Sequence, residues 1–189
     1  MSSSDYIRII AEGIDPKPFL DQIQKSDWKW MNRTASADPD SYGGDFDPPG
    51  FLPLCMGVAD ADDTAAIKNS ERLQRTEMYD RFTEVHKFWK QWGFTEHARA
   101  AFFKLKPGGT VGKHIDDGTY YLNKDRYHLA LQGTYRYRVG NYEMIVNPGT
   151  FFWFHNKEYH GAWNIGEVDR ISLVFDAPHS PNNPQWRIK

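Results

Sequence analysis

The chain has 189 residues, 40% of them apolar and 15% aromatic, and a formal net charge of −2. That is enough apolar material for one sizeable core and short for two, so a single domain over 1–189 is expected. The near-neutral charge leaves no global basic field for a nucleic-acid backbone or an anionic membrane, and no apolar run approaches the roughly 20 residues that span a bilayer. Cys55 is the only cysteine and the start MSSSDYIRII lacks a leader-like apolar stretch, which together lead us to expect a reducing, cytoplasmic setting.

In chain order, Asp15-Pro16 form a cap and first-turn pair for a short helix through Phe19, Leu20 and Ile23. Residues 32–50, rich in Asp, Ser, Gly and Pro, read as a long irregular loop that could cover a cavity. Met78, Phe82, Val85, Phe88, Trp89 and Trp92 recur at spacings of three and four and predict a buried helix that Gly93 ends. From Arg99 the period changes to two. AFFKLK, RYHLALQG, TYRYRVG, YEMIV, TFFWFH and RISLVFDA are short aromatic or β-branched runs, with Gln132-Gly133 and Gly140-Asn141 as hairpin turns. We expect a mainly β fold with flanking helices, built on a double-stranded β-helix, the cupin-like jelly roll. Residues 1–97 would be a support region of helices and loops, 98–178 the core, and 179–189 a polar tail.

His114 and Asp116, two apart, would share one face of a strand and present an imidazole and a carboxylate to one point. His-x-Asp alone is weak evidence, and a solvated or hydrogen-bonded pair is the ordinary alternative. A third ligand sharpens the signal, because two histidines and one carboxylate on one face of an octahedron leave three positions open on Fe(II). His160, in EYHGAWN, is the candidate. Ten residues on, Arg170 could offer a guanidinium fork to the far carboxylate of a dicarboxylic cosubstrate, with the Ser172 hydroxyl beside it. Arg126 and His128 form another i, i+2 pair that could bind the near carboxylate; the alternatives are an ion pair for Arg126 and a hydrogen-bonded core histidine for His128. Trp153 and Trp163 are candidate cavity walls or core residues. Arg33 and Arg75 are candidate partners for a substrate carboxylate or ordinary solvated charges.

The stretches FKLKPGGTVGKH, RYHLAL, FFWFHNKEYHGAWN and RISLVFD resemble the aspartyl/asparaginyl β-hydroxylase family, which also includes free-proline hydroxylases, over roughly residues 98–178. His160-x-x-Trp163-Asn164 followed by Arg170 is the most specific part, similar in spacing to the family's distal ligand and 2-oxoglutarate arginine. Arg126-x-His128 is similar to the pair that contacts the cosubstrate's other carboxylate. Animal members carry Gly where this chain has Asp116 and use two histidines, whereas the proline-hydroxylating members share His-x-Asp.

The resemblance implies an oxygenase dependent on Fe(II), 2-oxoglutarate and O2, hydroxylating an amino acid or amino-acid side chain of Asp, Asn or Pro type, free or in a peptide, with release of succinate and CO2. A metal cupin that uses no oxoglutarate is one competing reading, although its first motif would ordinarily need more histidines than His114 alone. A non-catalytic jelly-roll binding module is the other.

Overall fold

The computed structural model describes residues 5–26, 29–32, 50–58, 64–95 and 98–187. Twelve strands and two α-helices are present among them: β1 (Ile7–Ala11), α1 (Lys17–Lys25), β2 (Met31–Asn32), β3 (Gly50–Gly57), β4 (Leu73–Arg75), α2 (Thr83–Gln91), β5 (Ala100–Leu105), β6 (Thr110–His114), β7 (Lys124–Gln132), β8 (Tyr135–Val139), β9 (Tyr142–Val146), β10 (Phe151–Phe154), β11 (His160–Asn164) and β12 (Arg170–Pro178). The major sheet runs β1-β10-β7-β12-β5-β3-β2, with β4 also paired to β3; the minor sheet runs β6-β11-β8-β9. Every pairing is antiparallel. The two sheets close over a shared interior as a double-stranded β-helix.

The period-two pattern sorts each central strand into two faces. On β7 and β12, Tyr127, Leu129, Leu131, Leu173 and Phe175 point outward into a large core completed by Phe19, Phe82, Val85, Phe88 and Trp89 of the helical segments. The ring of Phe88 meets Phe151 edge-on with centroids 4.9 Å apart, and Tyr127 stacks on Phe175 at 5.1 Å. Burying rings of this size contributes roughly 1.5–3 kcal/mol each. A smaller core fills the interior between the sheets, where Ala130, Phe152 and Phe154 of the major sheet meet Tyr135, Tyr137, Val139 and Ala162 of the minor one.

α1 lies where the apolar spacing predicts, whereas α2 starts only at Thr83, with Met78 in a turn ahead of it and Phe82 at its N-cap. Asp15 accepts the Lys17 N–H at 2.9 Å and so caps α1, while Gly93 takes a left-handed φ of +79° just past α2. Three further features differ from the sequence expectation. The first 97 residues supply strands as well as helices, since β1 extends the major sheet beyond β10 and β3 extends it beyond β5. β1 has only five residues, and Pro53 inside β3 masks its pattern. Gly140-Asn141 closes the β8–β9 hairpin, but Gln132-Gly133 carries the chain from β7 in one sheet to β8 in the other. Gly133 has φ +74° and its Cα lies against the backbone of Asp169 and Arg170, where a Cβ would meet atoms at 3.0 Å. The segment after residue 178 is tied down: Gln185 is fully buried, accepts the Tyr127 hydroxyl at 2.7 Å and donates to Asp125 at 3.0 Å. The 32–50 loop and Arg33 lie outside the described residues, apart from the ends of that loop at Asn32 and Gly50.

Candidate metal centre

His114 ends β6 and His160 begins β11, and the two are cross-strand partners. Their rings sit 4.2 Å apart, centroid to centroid. The register slips between His160 and Ala162, where Gly161 lets β11 approach so closely that a Cβ would lie 2.9 Å from the Val111 carbonyl. Such a bulge beside a site re-aims the side chains that flank it. Each imidazole is oriented from behind: His114 Nδ1 donates to the Gly112 carbonyl and His160 Nδ1 to the Glu158 carbonyl, both at 2.9 Å. With both Nδ1 atoms protonated, both Nε2 lone pairs are the ones presented to a ligand.

Asp116 completes the group. The three side chains offer ligand atoms that all lie within 4.8 Å of one another, with Asp116 carboxylate oxygens 3.9 Å from His114 Nε2 and 3.7 Å from His160 Nε2. Asp116 reaches this position differently from the expectation of a shared strand face, because β6 ends at His114. Its backbone N–H is held by the Asn156 carbonyl at 3.1 Å and its carboxylate by Arg126 Nη1 at 2.7 Å. Burial drives the pKa of His160 down to about 4, Asp116 opposing and His114 adding to the shift, so the imidazole is neutral and able to ligate near pH 7.

The sequence pattern of the aspartyl/asparaginyl beta-hydroxylase family matches residues 60–180, well over half the chain, and covers all three of these side chains. The chain belongs to that family. The structure adds two features of this hydroxylase-family member that bear on a ligand beside the metal. Arg170 is buried at the start of β12, its Nε donates to Ser172 Oγ at 3.0 Å, and its guanidinium lies 4.3 Å over the Tyr135 ring. It has no carboxylate partner among the described residues, which is costly for a buried charge unless a ligand supplies one. His128 is buried against Tyr137, Phe152 and Phe154, with no hydrogen-bond partner for Nδ1 among the described residues. Burial, then the charges of Arg170, Arg126, His160 and His114, hold its pKa well below the usual imidazole range, and two of its ring neighbours, Tyr137 and Phe154, also meet the His160 ring.

Arg126 is engaged. Nε and Nη2 grip Asp176 at 2.6 and 2.9 Å while Nη1 holds Asp116, so its contact with the centre runs through Asp116. Trp163 lies on the opposite face of β11 from His160, and Trp153 faces outward and donates to Asp125 at 3.2 Å. Neither faces the His114–Asp116–His160 group; Tyr137 and Phe154 do, their ring centroids 6.4 and 4.8 Å from that of His160. Arg75 lies 4.4 Å over the Tyr79 ring. Asp176 is the residue the sequence reading missed, although it continues the period-two series Arg170, Ser172, Val174 and sits directly opposite Arg126.

No curated protein sequence matches the chain. Among solved structures, TT1209 from Thermus thermophilus aligns at 26% identity over 46% of this chain and 77% of its own, with a TM-score of 0.37. A predicted oxalate decarboxylase from Thermotoga maritima aligns at 20% identity over 48% and 74%, TM-score 0.39, and the cupin domain of Schizosaccharomyces pombe Cnp3 at 15% over 43% and 52%, TM-score 0.38. No helix among the described residues is long and apolar enough to cross a membrane.

Proposed function

We propose that this chain is an Fe(II)- and 2-oxoglutarate-dependent oxygenase that hydroxylates an amino acid or amino-acid side chain, free or in a peptide. One observation carries the reading: a His-Asp-His cluster and a buried arginine without a carboxylate partner among the described residues adjoin the same inner core, His160 against Tyr137 and Phe154 and Arg170 over Tyr135. The donor set suits a hard divalent ion, with two neutral imidazoles and one carboxylate leaving other coordination positions for ligands. Bound Fe(II) would supply a site for O2 activation, with the cosubstrate giving up two electrons towards O2 as it loses CO2.

The charges lining the interior argue for a dianion. Arg126 and Arg170 cancel Asp116 and Asp176, so a divalent metal would leave a charge of +2 in a poorly hydrated pocket. A dicarboxylate restores neutrality, and Arg170 with Ser172 forms a fork and a hydroxyl suited to its far end. His128, whose ring shares Tyr137 and Phe154 with His160, is the group we assign to the near end. Tyr137, Phe152 and Phe154 line the interior with rings and exclude water from it.

Incubation with Fe(II), labelled 2-oxoglutarate and pools of amino acids and peptides tests this. Succinate formation coupled to a gain of one oxygen atom in one component is expected. Stoichiometric metal without any succinate would favour a metal cupin that uses no oxoglutarate; no metal at all would favour a binding module.

A further inference from the structure

We propose that Asp176 is a positioning residue for the candidate metal centre, fixing the Asp116 carboxylate against His114 and His160 through Arg126. The inference rests on Asp116 being a metal ligand. Asp116 lies beyond the last residue of β6, so no strand register directs its side chain, and a carboxylate on a loop samples several rotamers unless something holds it. Arg126 does hold it, yet an arginine side chain is itself long and flexible and directs a partner only when its guanidinium plane is fixed.

Asp176 fixes that plane. It sits on β12 directly opposite Arg126 on β7, is fully buried, and takes the Nε–Nη2 edge of the guanidinium in a two-point grip. Once that edge is set, the direction of Nη1 follows from the planarity of the group, and Nη1 is the atom that holds Asp116 Oδ2. Asp176 is itself anchored by the Tyr120 hydroxyl at 3.1 Å, which in turn accepts the Arg99 N–H at 3.0 Å. The series of contacts joins a loop carboxylate to two inner strands of the major sheet. Partners of this kind typically change metal affinity about 10- to 100-fold when removed.

The test is a double-mutant cycle read by Co(II) titration of the full chain, following visible absorbance, with thermal unfolding to verify the fold. Asp176→Asn keeps the shape but turns an N–H toward the guanidinium, so it should weaken Co(II) binding about tenfold or more in the parent. In an Asp116→Gly background it should have no further effect on Co(II) affinity. Parent-like Co(II) affinity and spectrum for Asp176→Asn would overturn the inference, as would equal weakening in both backgrounds, which would make Asp176 a general support of the fold. Arg126→Met removes the same link from the other side and carries the cycle if Asp176→Asn does not fold. If Asp116→Gly alone binds Co(II) like the parent, the three-ligand reading fails first, and that result is separate from either outcome for Asp176.

Discussion

Strands β7 and β12 run side by side at the centre of the major sheet, and their two faces have different occupations. The outward face, with Tyr127, Leu129, Leu173 and Phe175, is apolar and packed beneath the helices. The inward face, with Arg126, His128, Arg170, Ser172 and Asp176, carries charge and imidazole nitrogen into a buried space. One alternating sequence thus builds stability and chemistry on opposite sides of the same backbone. The lesson is that their costs should separate: outward changes should alter folding, and inward changes should alter binding.

The largest separation is expected at Phe175. Truncation of a fully buried ring to Ala ordinarily costs about 3–5 kcal/mol, so Phe175→Ala should lower the denaturant midpoint sharply while the folded fraction still binds metal with parent affinity. Arg170→Ala, five residues back and on the other face, should reverse the pattern. Loss of one partner of a buried charged pair costs about 2–5 kcal/mol in binding, so the KM for 2-oxoglutarate should rise steeply with little change in the unfolding midpoint. A large fall in stability with unchanged 2-oxoglutarate turnover would break the comparison. Asp116→Gly should weaken Fe(II) affinity by at least the ~10- to 100-fold typical of losing a ligand's supporting partner, again without a matching loss of stability.

The smallest effect blurs the boundary between the faces. His128 is on the inward face, yet its burial also burdens folding at low pH. Its folded pKa lies well below the unfolded value near 6.5, so below that pH the unfolded chain takes up a proton that the folded one does not. Its contribution to stability is therefore intact above about pH 6.5 and falls on acidification by at most about 1.4 kcal/mol per pH unit. Thermal unfolding of metal-free protein between pH 7 and 5 should show this decline, and His128→Phe should make it shallower. An unchanged slope in that variant would place the acid sensitivity elsewhere.

The inward face was largely readable because its residues repeat at period two on strands with unambiguous alternation. Arg126, His128, Arg170 and Ser172 fall where that alternation puts them, and His114 and His160 meet because their strands pair. Asp116 was found by the same rule for a reason the structure replaces: it is held by Arg126 and the Asn156 carbonyl beyond the end of its strand. Asp176 went unread because an aspartate at the end of an apolar run looks like a strand terminator until its cross-strand partner is known. Trp153 and Trp163 show the limit of composition, since aromatic runs on adjacent positions do not say which ring faces in. β1 and β3 were invisible for a further reason. Both are extensions that gain their pairing only from strands distant in sequence, and neither has a clean alternation of its own.

The place of β12 in the strand order has a consequence for how the chain is made. It is the last of the described strands in chain order and lies between β7 and β5, so without it β1-β10-β7 and β5-β3-β2 have no strand to join them. Closure over such sequence distances is slow, and exposed edges recruit other chains in the meantime. The same strand carries Arg170, Ser172 and Asp176, so the step that seals the sheet also brings Arg170 and Ser172 into the interior and sets Asp176 against Arg126. A chain stopped short of residue 170 lacks both at once, so under the proposed function 2-oxoglutarate binding would report that assembly is finished.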